Sequence, residues 1–265
     1  MIIAATLSPD YYFPGIGVQM QHKLGCGAIP ALDIRAQCSG FSWGLATADA
    51  FITTGHYRRI LLVGAEIHSR IMEYSDRNRN ISVLFGDAAG AVIVERQEGK
   101  ERPTVHNHLR GLIDHEMGSD GSCAELLYQK RPGNSGEPTF LDLGPERSID
   151  SLPHMDGQQV FKQAIGHMCE TIEKVLARND LKADDLDLLI PHQANLRITE
   201  MIRKKFGLPE AKVVSNIHKY ANTTAATVPL CMEDAEQDGR LIEGKLVLTV
   251  TFGAGFTWGA NLIRW

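Results

Sequence analysis

The sequence predicts an α/β protein made of stacked sheet and helix layers, built from two copies of one unit, with the first copy incomplete. Three observations carry that expectation. Apolar runs of strand length alternate with segments of helical period, the pattern of layered α/β architectures. The two ends follow one plan: Met1-Ile-Ile-Ala-Ala-Thr-Leu-Ser-Pro9 leads to a helix closed by Gly25, and Leu188-Leu-Ile-Pro-His192 leads to a helix closed by Gly207. Further on, Arg59-Ile-Leu-Leu-Val-Gly64 parallels Lys245-Leu-Val-Leu-Thr-Val250.

Taken in order, Met1–Leu7 is continuous apolar sequence and reads as a buried strand, Gly17–Leu24 as a helix, and Ala31–Ala36 as a strand. Ser39–Thr54 has helical period and Arg59–Ala65 is β-branched and aliphatic, so a helix and a strand are expected there. Phe85–Glu95 reads as a glycine-punctuated strand after the polar stretch Tyr74–Asn80. From Gln97 to about Pro153 the chain is rich in Gly, Pro, Ser and charge, which predicts a surface excursion. A helix is expected over Gln158–Arg178, then a strand (Asp187–Ile190), a helix (Ile198–Phe206), a strand (Lys212–Asn216), a helix (Thr227–Asp238) and closing strands Lys245–Thr251 and Trp258–Trp265. The resulting division is 1–103 for the first half, 104–157 for the excursion and 158–265 for the second half. The second half has a full helix before its first strand and the first half has none. One or two βαβ units, at roughly 30 residues or more each, are therefore expected to be missing at the N-terminus.

The chain has 265 residues, 43% hydrophobic and 22% charged, enough for one large core or two smaller ones. A net charge of −5 supplies no global basic field, so neither nucleic acid nor an anionic membrane is an expected partner. No apolar run reaches the ~18–20 residues of a membrane span. The five cysteines, Cys26, Cys38, Cys123, Cys169 and Cys231, are scattered and odd in number with no C-x-x-C pair. That predicts no disulfide framework and a reducing, cytoplasmic setting.

Cys38 stands where a β-branched strand turns into a helix opening Ser39-Gly40-Phe41. A thiol there faces the positive end of the helix dipole, which predicts a lowered pKa and a nucleophile; the alternative is a buried structural cysteine. His192 lies at the carboxyl end of a strand just before a helix, a place for an acid, base or hydrogen-bond donor. The repeat superposes Cys38 on Asn222, whose amide suits an oxygen gaining negative charge, or an ordinary turn. Phe252-Gly-Ala-Gly-Phe-Thr-Trp-Gly259 has no helix after it, so it is a poor dinucleotide loop; its amides could line a crevice. His106, His108 and His115 are the only candidates for a metal site and lack convincing ligand spacing, so no metal is expected. Arg203-Lys204-Lys205 suits a helix C-terminus or a docking patch.

With Cys38, His192 and Asn222 in that order, the sequence resembles the β-ketoacyl-acyl carrier protein synthase III family of the thiolase superfamily. The resemblance rests on Asp33-Ile-Arg-Ala-Gln-Cys38-Ser-Gly-Phe41, Phe85-Gly-Asp-Ala-Ala-Gly-Ala91, Met155-Asp-Gly157 with Val160-Phe-Lys162, Pro191-His-Gln-Ala-Asn-Leu-Arg197, Ala221-Asn-Thr-Thr-Ala-Ala226 and the glycine loop. It implies a thiolase-like α-β-α-β-α fold and a cytoplasmic acyltransferase of fatty acid biosynthesis. The reaction implied is decarboxylative condensation of an acyl-CoA primer with malonyl-acyl carrier protein, through an acyl-cysteine at Cys38. His192 and Asn222 would hydrogen-bond the malonyl thioester carbonyl, and the amides of Cys38 and Ala254 would hold the tetrahedral oxyanion. Asn195 and Arg197 would line the pantetheine channel, and Lys162, Arg197, Lys204 and Lys205 would dock an acidic carrier protein. Phe13 would reach a partner's acyl pocket in a homodimer. No cofactor is implied; coenzyme A and phosphopantetheine thioesters are substrates. Ala221 and Ala254 stand where this family usually has glycine, and Gln37 replaces a small residue before the nucleophile. Two rival readings are a Cys-His-Asn hydrolase, which lacks its C-G-[SA]-C-[WY] signature here, and a non-catalytic subunit of the same fold.

Overall fold

A computed structural model describes residues 1–97, 99, 101–129 and 152–265. Two four-stranded mixed sheets face each other across a pair of helices. In the first sheet β1 (Ile2–Ala5) runs parallel to β2 (Ala31–Ile34) and to β3 (Arg59–Glu66), and β4 (Ala88–Glu95) pairs antiparallel to β3, giving the order β2-β1-β3-β4. In the second, β8 (Leu188–Pro191) runs parallel to β9 (Leu246–Gly253), β10 (Thr257–Arg264) antiparallel to β9, and β5 (Gly111–Ser119) antiparallel to β10. The central strands are apolar on both faces and buried along their length, as strands covered by helices on both sides must be.

Helices α2 (Gly40–Thr53) and α7 (Thr227–Gln237) form the middle layer, touching strands of both sheets. One core fills this layer, with Ile3, Phe41, Leu45, Leu62 and Ile190 against Val228, Cys231, Met232 and Val247. A second lies outside the other sheet, where α4 (Gly157–Arg178) and α5 (Leu196–Lys205) cover it through Met168, Ile172, Val175, Ile198 and Ile202. Helix α1 (Ile16–Lys23) lies on β1 and β2 as the remaining outer layer. Local chemistry sets the helix ends: Asp156 caps α4 by accepting from the Gln159 amide at 3.0 Å, and α1 and α5 are each followed by a left-handed glycine, Gly25 (φ +64°) and Gly207 (φ +65°).

The halves match in topology and in register, since Ile2 pairs with Leu61 as Leu188 pairs with Val247. One constant offset in numbering carries β3 onto β9, and the 3-10 turn Gln37–Ser39 onto the 3-10 turn Thr224–Ala226. Gln37 and Thr224, which open these turns, share the left-handed φ of +44°. This corrects the superposition expected from sequence: Cys38 corresponds to Ala225, not to Asn222. Asn222 sits in the longer connection of the second half, after the short helix α6 (Ile217–Tyr220).

Two further expectations change. The stretch read as a surface excursion contributes β5, whose polar Asp114 and Glu116 are each held at 2.8 Å by Arg178 of α4. Those pairings explain why the strand carries no apolar alternation. Beyond it, β6 (Leu127–Tyr128) pairs with β7 (His154–Met155), and residues 130–151 of the excursion lie outside the described residues. The strand expected over Lys212–Asn216 is a single bridge from Val213 to Leu189, although it occupies the place that β2 takes in the first sheet. The polar stretch Tyr74–Asn80 leads into one helical turn, α3 (Arg79–Ser82).

Candidate active site

The Cys38 turn is built by close packing. Gly40 starts α2 so near β1 that an added Cβ would lie 2.9 Å from the Ala5 Cβ. Gly253, the last residue of β9, leaves room where a Cβ would lie 2.9 Å from the Cys38 nitrogen and 3.1 Å from the Ser39 nitrogen. Ser39 Oγ donates to the Ala36 carbonyl at 2.7 Å and lies 2.7 Å from Thr257 Oγ1, which ties the turn to the glycine loop. The Cys38 side chain is buried, and its thiol is pushed up to about 12, first by burial and then by the negative charge of Glu66. The amides of Cys38 and Ala254 oppose that shift by facing the sulfur. The lowered pKa expected from the helix N-terminus is thus corrected: burial and Glu66 outweigh the dipole.

His192 directly follows β8, its amide donating to the Val250 carbonyl at 2.8 Å. Its Nδ1 lies 2.7 Å from Thr227 Oγ1, and that hydroxyl can donate to the Thr224 carbonyl at 2.9 Å. Nε2 is buried without a partner, and burial lowers the imidazole pKa to about 3, so the ring is neutral near pH 7. A buried ring nitrogen without a partner is costly unless something completes it.

Asn222 is buried, and its Oδ1 accepts from the Thr224 amide at 2.9 Å, which leaves the Nδ2 donors to face elsewhere. Its backbone is clamped by two bonds to the segment before β4: its amide donates to Leu84 O (2.9 Å) and its carbonyl accepts from Gly86 N (3.0 Å). Thr224 therefore holds Asn222 through its amide and His192 through its carbonyl and Thr227. The same turn packs on the first half, where Gly64 and Gly40 make room for Ala225.

Sequence reasoning missed Thr224, Thr227 and Glu66. Glu66 satisfied the rule that singled out His192, a polar residue at the carboxyl end of a central strand. Thr227 carried no local signal, because it reads as an ordinary first residue of a helix.

The remaining candidates are dispersed. Phe13 is 80% exposed, beside exposed Tyr11 and Tyr12, and does not reach this chain's own site. Asn195 caps α5, its Oδ1 accepting from the Arg197 amide at 2.9 Å. Lys162, Arg197 and Lys204 are exposed with no ion pair among the described residues, whereas Lys205 is engaged by Glu173 at 2.7 Å. His106 and His108 lie in a loop, while His115 turns inward onto Asp49 (3.2 Å) and Asn261 (3.0 Å), so the three do not converge. Among the described residues no group of three or more His, Cys, Asp or Glu could hold a metal ion, and no helix is long and apolar enough to cross a membrane. A cavity of about 710 Å³ runs along β4 and the C-terminal Arg264 and Trp265, and none of Cys38, His192 and Asn222 lines it.

Residues 32–121 match the family model for 3-oxoacyl-[acyl-carrier-protein] synthase III, and residues 176–265 match the model for its C-terminal region. The chain is 42% identical to beta-ketoacyl-[acyl-carrier-protein] synthase III of Rhizobium rhizogenes, over all of this chain and 77% of that protein. It is 40% identical to the protein of the same name from Paramagnetospirillum magneticum, over all of this chain and 76% of that one. Among solved structures, 3-oxoacyl-[acyl-carrier-protein] synthase III from Aquifex aeolicus superposes with a TM-score of 0.86 at 36% identity, covering all of this chain and 76% of that one. The priming beta-ketosynthase from the R1128 polyketide pathway gives a TM-score of 0.83 at 27% identity, covering 99% and 74%.

Proposed function

The chain belongs to the 3-oxoacyl-[acyl-carrier-protein] synthase III family and is a condensing acyltransferase, and from that premise we propose how its own residues perform the reaction. It joins an acyl-CoA primer to malonyl-acyl carrier protein with loss of carbon dioxide. Cys38 is the acylated nucleophile, and the observation that carries this assignment is the pair of amides, from Cys38 and Ala254, facing its sulfur.

In the first step the Cys38 sulfur attacks the thioester carbonyl of the primer, and the oxyanion forms against those two amides. With the thiol pushed up to about 12, no standing thiolate is present near pH 7, so the proton must leave as the bond forms. His192 Nε2, unpartnered in the interior, takes it and returns it to the departing coenzyme A sulfur. An accepting Nε2 needs its proton on Nδ1, the tautomer favoured when the Thr227 hydroxyl donates to the Thr224 carbonyl.

In the second step the malonyl thioester loses carbon dioxide, and its carbonyl oxygen gains charge as the enolate forms. Asn222 Nδ2 donates to that oxygen, and so does His192 Nε2 once the Thr227 hydroxyl turns to donate to Nδ1 and the imidazole proton moves to Nε2. Two neutral donors stabilise the enolate without protonating its carbon. That carbon attacks the acyl group on Cys38, the carbon–sulfur bond breaks, and the released Cys38 thiolate takes a proton from solvent, the one proton that the condensation consumes overall. The balance closes with no resident cofactor, since both thioesters are substrates.

Lys162, Arg197 and Lys204 form the docking surface for the acidic carrier, with Lys205 contributing less because Glu173 holds it. Asn195 and Arg197 flank the pantetheine arm. The exposed Tyr11, Tyr12, Phe13, Leu24 and Leu32, beside β2, the edge strand of its sheet among the described residues, form the face of a homodimer in a cytoplasmic enzyme.

Intact-protein mass spectrometry after incubation with short acyl-CoA thioesters tests the first step. One acyl adduct that disappears in Cys38→Ala is expected; a folded, dimeric sample with no adduct refutes the assignment. Malonyl-thioester decarboxylation is expected to survive Cys38→Ala and to be lost in His192→Ala.

A further inference from the structure

The offset that maps one half onto the other shows where each half has dropped a group that its partner keeps. Cys38 maps onto Ala225, His192 onto Ala5, and Thr227 onto Gly40. Gly253, which makes room for the Cys38 and Ser39 amides, maps onto Glu66, and Ala254 maps onto Ile67. The anion-binding position beside Cys38 therefore has a mirror image beside Ala225, and a carboxylate of the protein itself fills it.

Glu66 is 2% exposed. From the end of β1 it accepts the Ser8 hydroxyl at 2.7 Å, the Leu7 amide at 3.2 Å and the Thr6 hydroxyl at 3.3 Å. The Ile67 amide, mirror of the Ala254 amide, donates to Ser8 Oγ at 2.8 Å and so reaches the carboxylate through one hydroxyl. Burial raises Glu66 to about 7; from the opposite half the Thr224 hydroxyl and the Ala225 amide, mirror of the Cys38 amide, face the carboxyl group and partly offset that rise. Thr224 Oγ1 makes no hydrogen bond of its own, and close backbone packing ties β3 to the turn: a Cβ at Gly64, two residues before Glu66, would collide with the Ala225 carbonyl.

The geometry points to Glu66 as a built-in anion of the mirrored hole and a positioning residue for decarboxylation, holding the Thr224–Ala226 turn on which Asn222 and His192 both depend. The link is short. The Thr224 amide fixes Asn222 Oδ1, and the Thr224 carbonyl takes the Thr227 hydroxyl that contacts His192 Nδ1. Glu66 also acts on the other half-reaction with opposite sign, because its charge opposes the Cys38 thiolate. Among the described residues Cys38 is the titratable group its charge acts on; the other groups facing it, Thr6, Leu7, Ser8, Thr224 and Ala225, do not titrate. The role in decarboxylation rests on the condensing reading above; the effect on Cys38 does not.

Glu66→Gln keeps the shape and removes the charge. The expected result is a split. Iodoacetamide alkylation of Cys38 at pH 8 becomes at least about threefold faster, as expected when an opposing charge is removed. Malonyl-thioester decarboxylation falls about tenfold in kcat with KM little changed, equivalent to about 1.4 kcal/mol of lost transition-state stabilisation. Glu66→Asp restores most of the decarboxylation, and formate added to Glu66→Ala restores part of it by occupying the emptied position. A folded Glu66→Gln protein with unchanged decarboxylation overturns the inference, and so does a parallel fall of alkylation and decarboxylation, which marks a merely structural role. Failure of the condensing reading would show separately, as wild-type protein that neither loads an acyl group nor decarboxylates.

Discussion

Adding one methyl group at Gly253 tests how tightly the nucleophile turn is held. A Cβ there would lie 2.9 Å from the Cys38 nitrogen, 3.1 Å from the Ser39 nitrogen and 3.2 Å from the Cys38 Cβ. Ordinary contacts begin near 3.4 Å, so the turn must retreat by about half an ångström, and two of the three neighbours are backbone atoms that have no rotamer to change. Overpacking of this kind costs about 1–3 kcal/mol of stability. Displacing the Cys38 amide and sulfur together by that distance is expected to slow acyl loading about 10–100-fold, by comparison with the ~100-fold cost of a 1 Å misplacement. The three atoms nearest the methyl all belong to the Cys38 turn, so decarboxylation at His192 and Asn222 should fall less than threefold. Single-turnover acylation followed by mass spectrometry, with malonyl-thioester decarboxylation and thermal unfolding on the same samples, separates these effects. Near wild-type acyl loading by a folded Gly253→Ala protein would refute the argument that the β9 end sets the position of Cys38.

Ala221 has φ +57° and ψ −156°, a combination that glycine adopts freely and alanine does not. Ala221→Gly is therefore expected to stabilise the protein by about 1 kcal/mol, net of the added freedom of the unfolded chain, seen as a higher denaturant midpoint at unchanged slope. The stability–pH profile should carry two opposed slopes. Glu66 is raised to about 7 by burial, so the folded state binds its proton more tightly than the unfolded chain and stability falls as pH rises from about 4.5 to 7. His192 is lowered to about 3 by burial, so the unfolded chain binds its proton more tightly and stability falls as pH drops from about 6.5 to 3. Glu66→Gln removes the first slope alone and should move the stability optimum upward in pH; an unmoved optimum in urea titrations from pH 4 to 9 would show that Glu66 is not raised.

Most of the layered architecture was legible because its central strands are apolar on both faces and its helices end at Gly25 and Gly207. Cys38, His192 and Asn222 stood out as candidates because each lies in a short motif at a strand end or turn. The strand β5 was not, because an edge strand that offers Asp114 and Glu116 to a distant arginine has the composition of a loop. The correspondence of Cys38 with Asn222 also failed for a physical reason. Spacing alone cannot locate the added residues between Val213 and the turn at Thr224, whereas the shared φ of Gln37 and Thr224 does so at once. The thiol's pKa was misjudged in the same way. The helix end is local in sequence, but the burial and the Glu66 charge that outweigh it come from the β9 end and from β3.

The duplicated frame explains why neither half can hold the site alone. Two equivalent turns meet at the middle layer, each opening a central helix and each facing the end of a strand from the opposite half. Beside Cys38 the facing strand end is small, Gly253, so a transient oxyanion can be admitted. Beside Ala225 it is Glu66, so the corresponding space is filled by a carboxyl group of the protein itself and, on the inference above, the turn there serves as a fixed support. On the proposed mechanism, one turn is left open for chemistry while the other is fixed to aim His192 and Asn222 across the interface. Replacing Glu66 by glycine would make the two positions alike, and on this reasoning it would not create a second reactive centre, because Ala225 offers no nucleophile; it would loosen the first one.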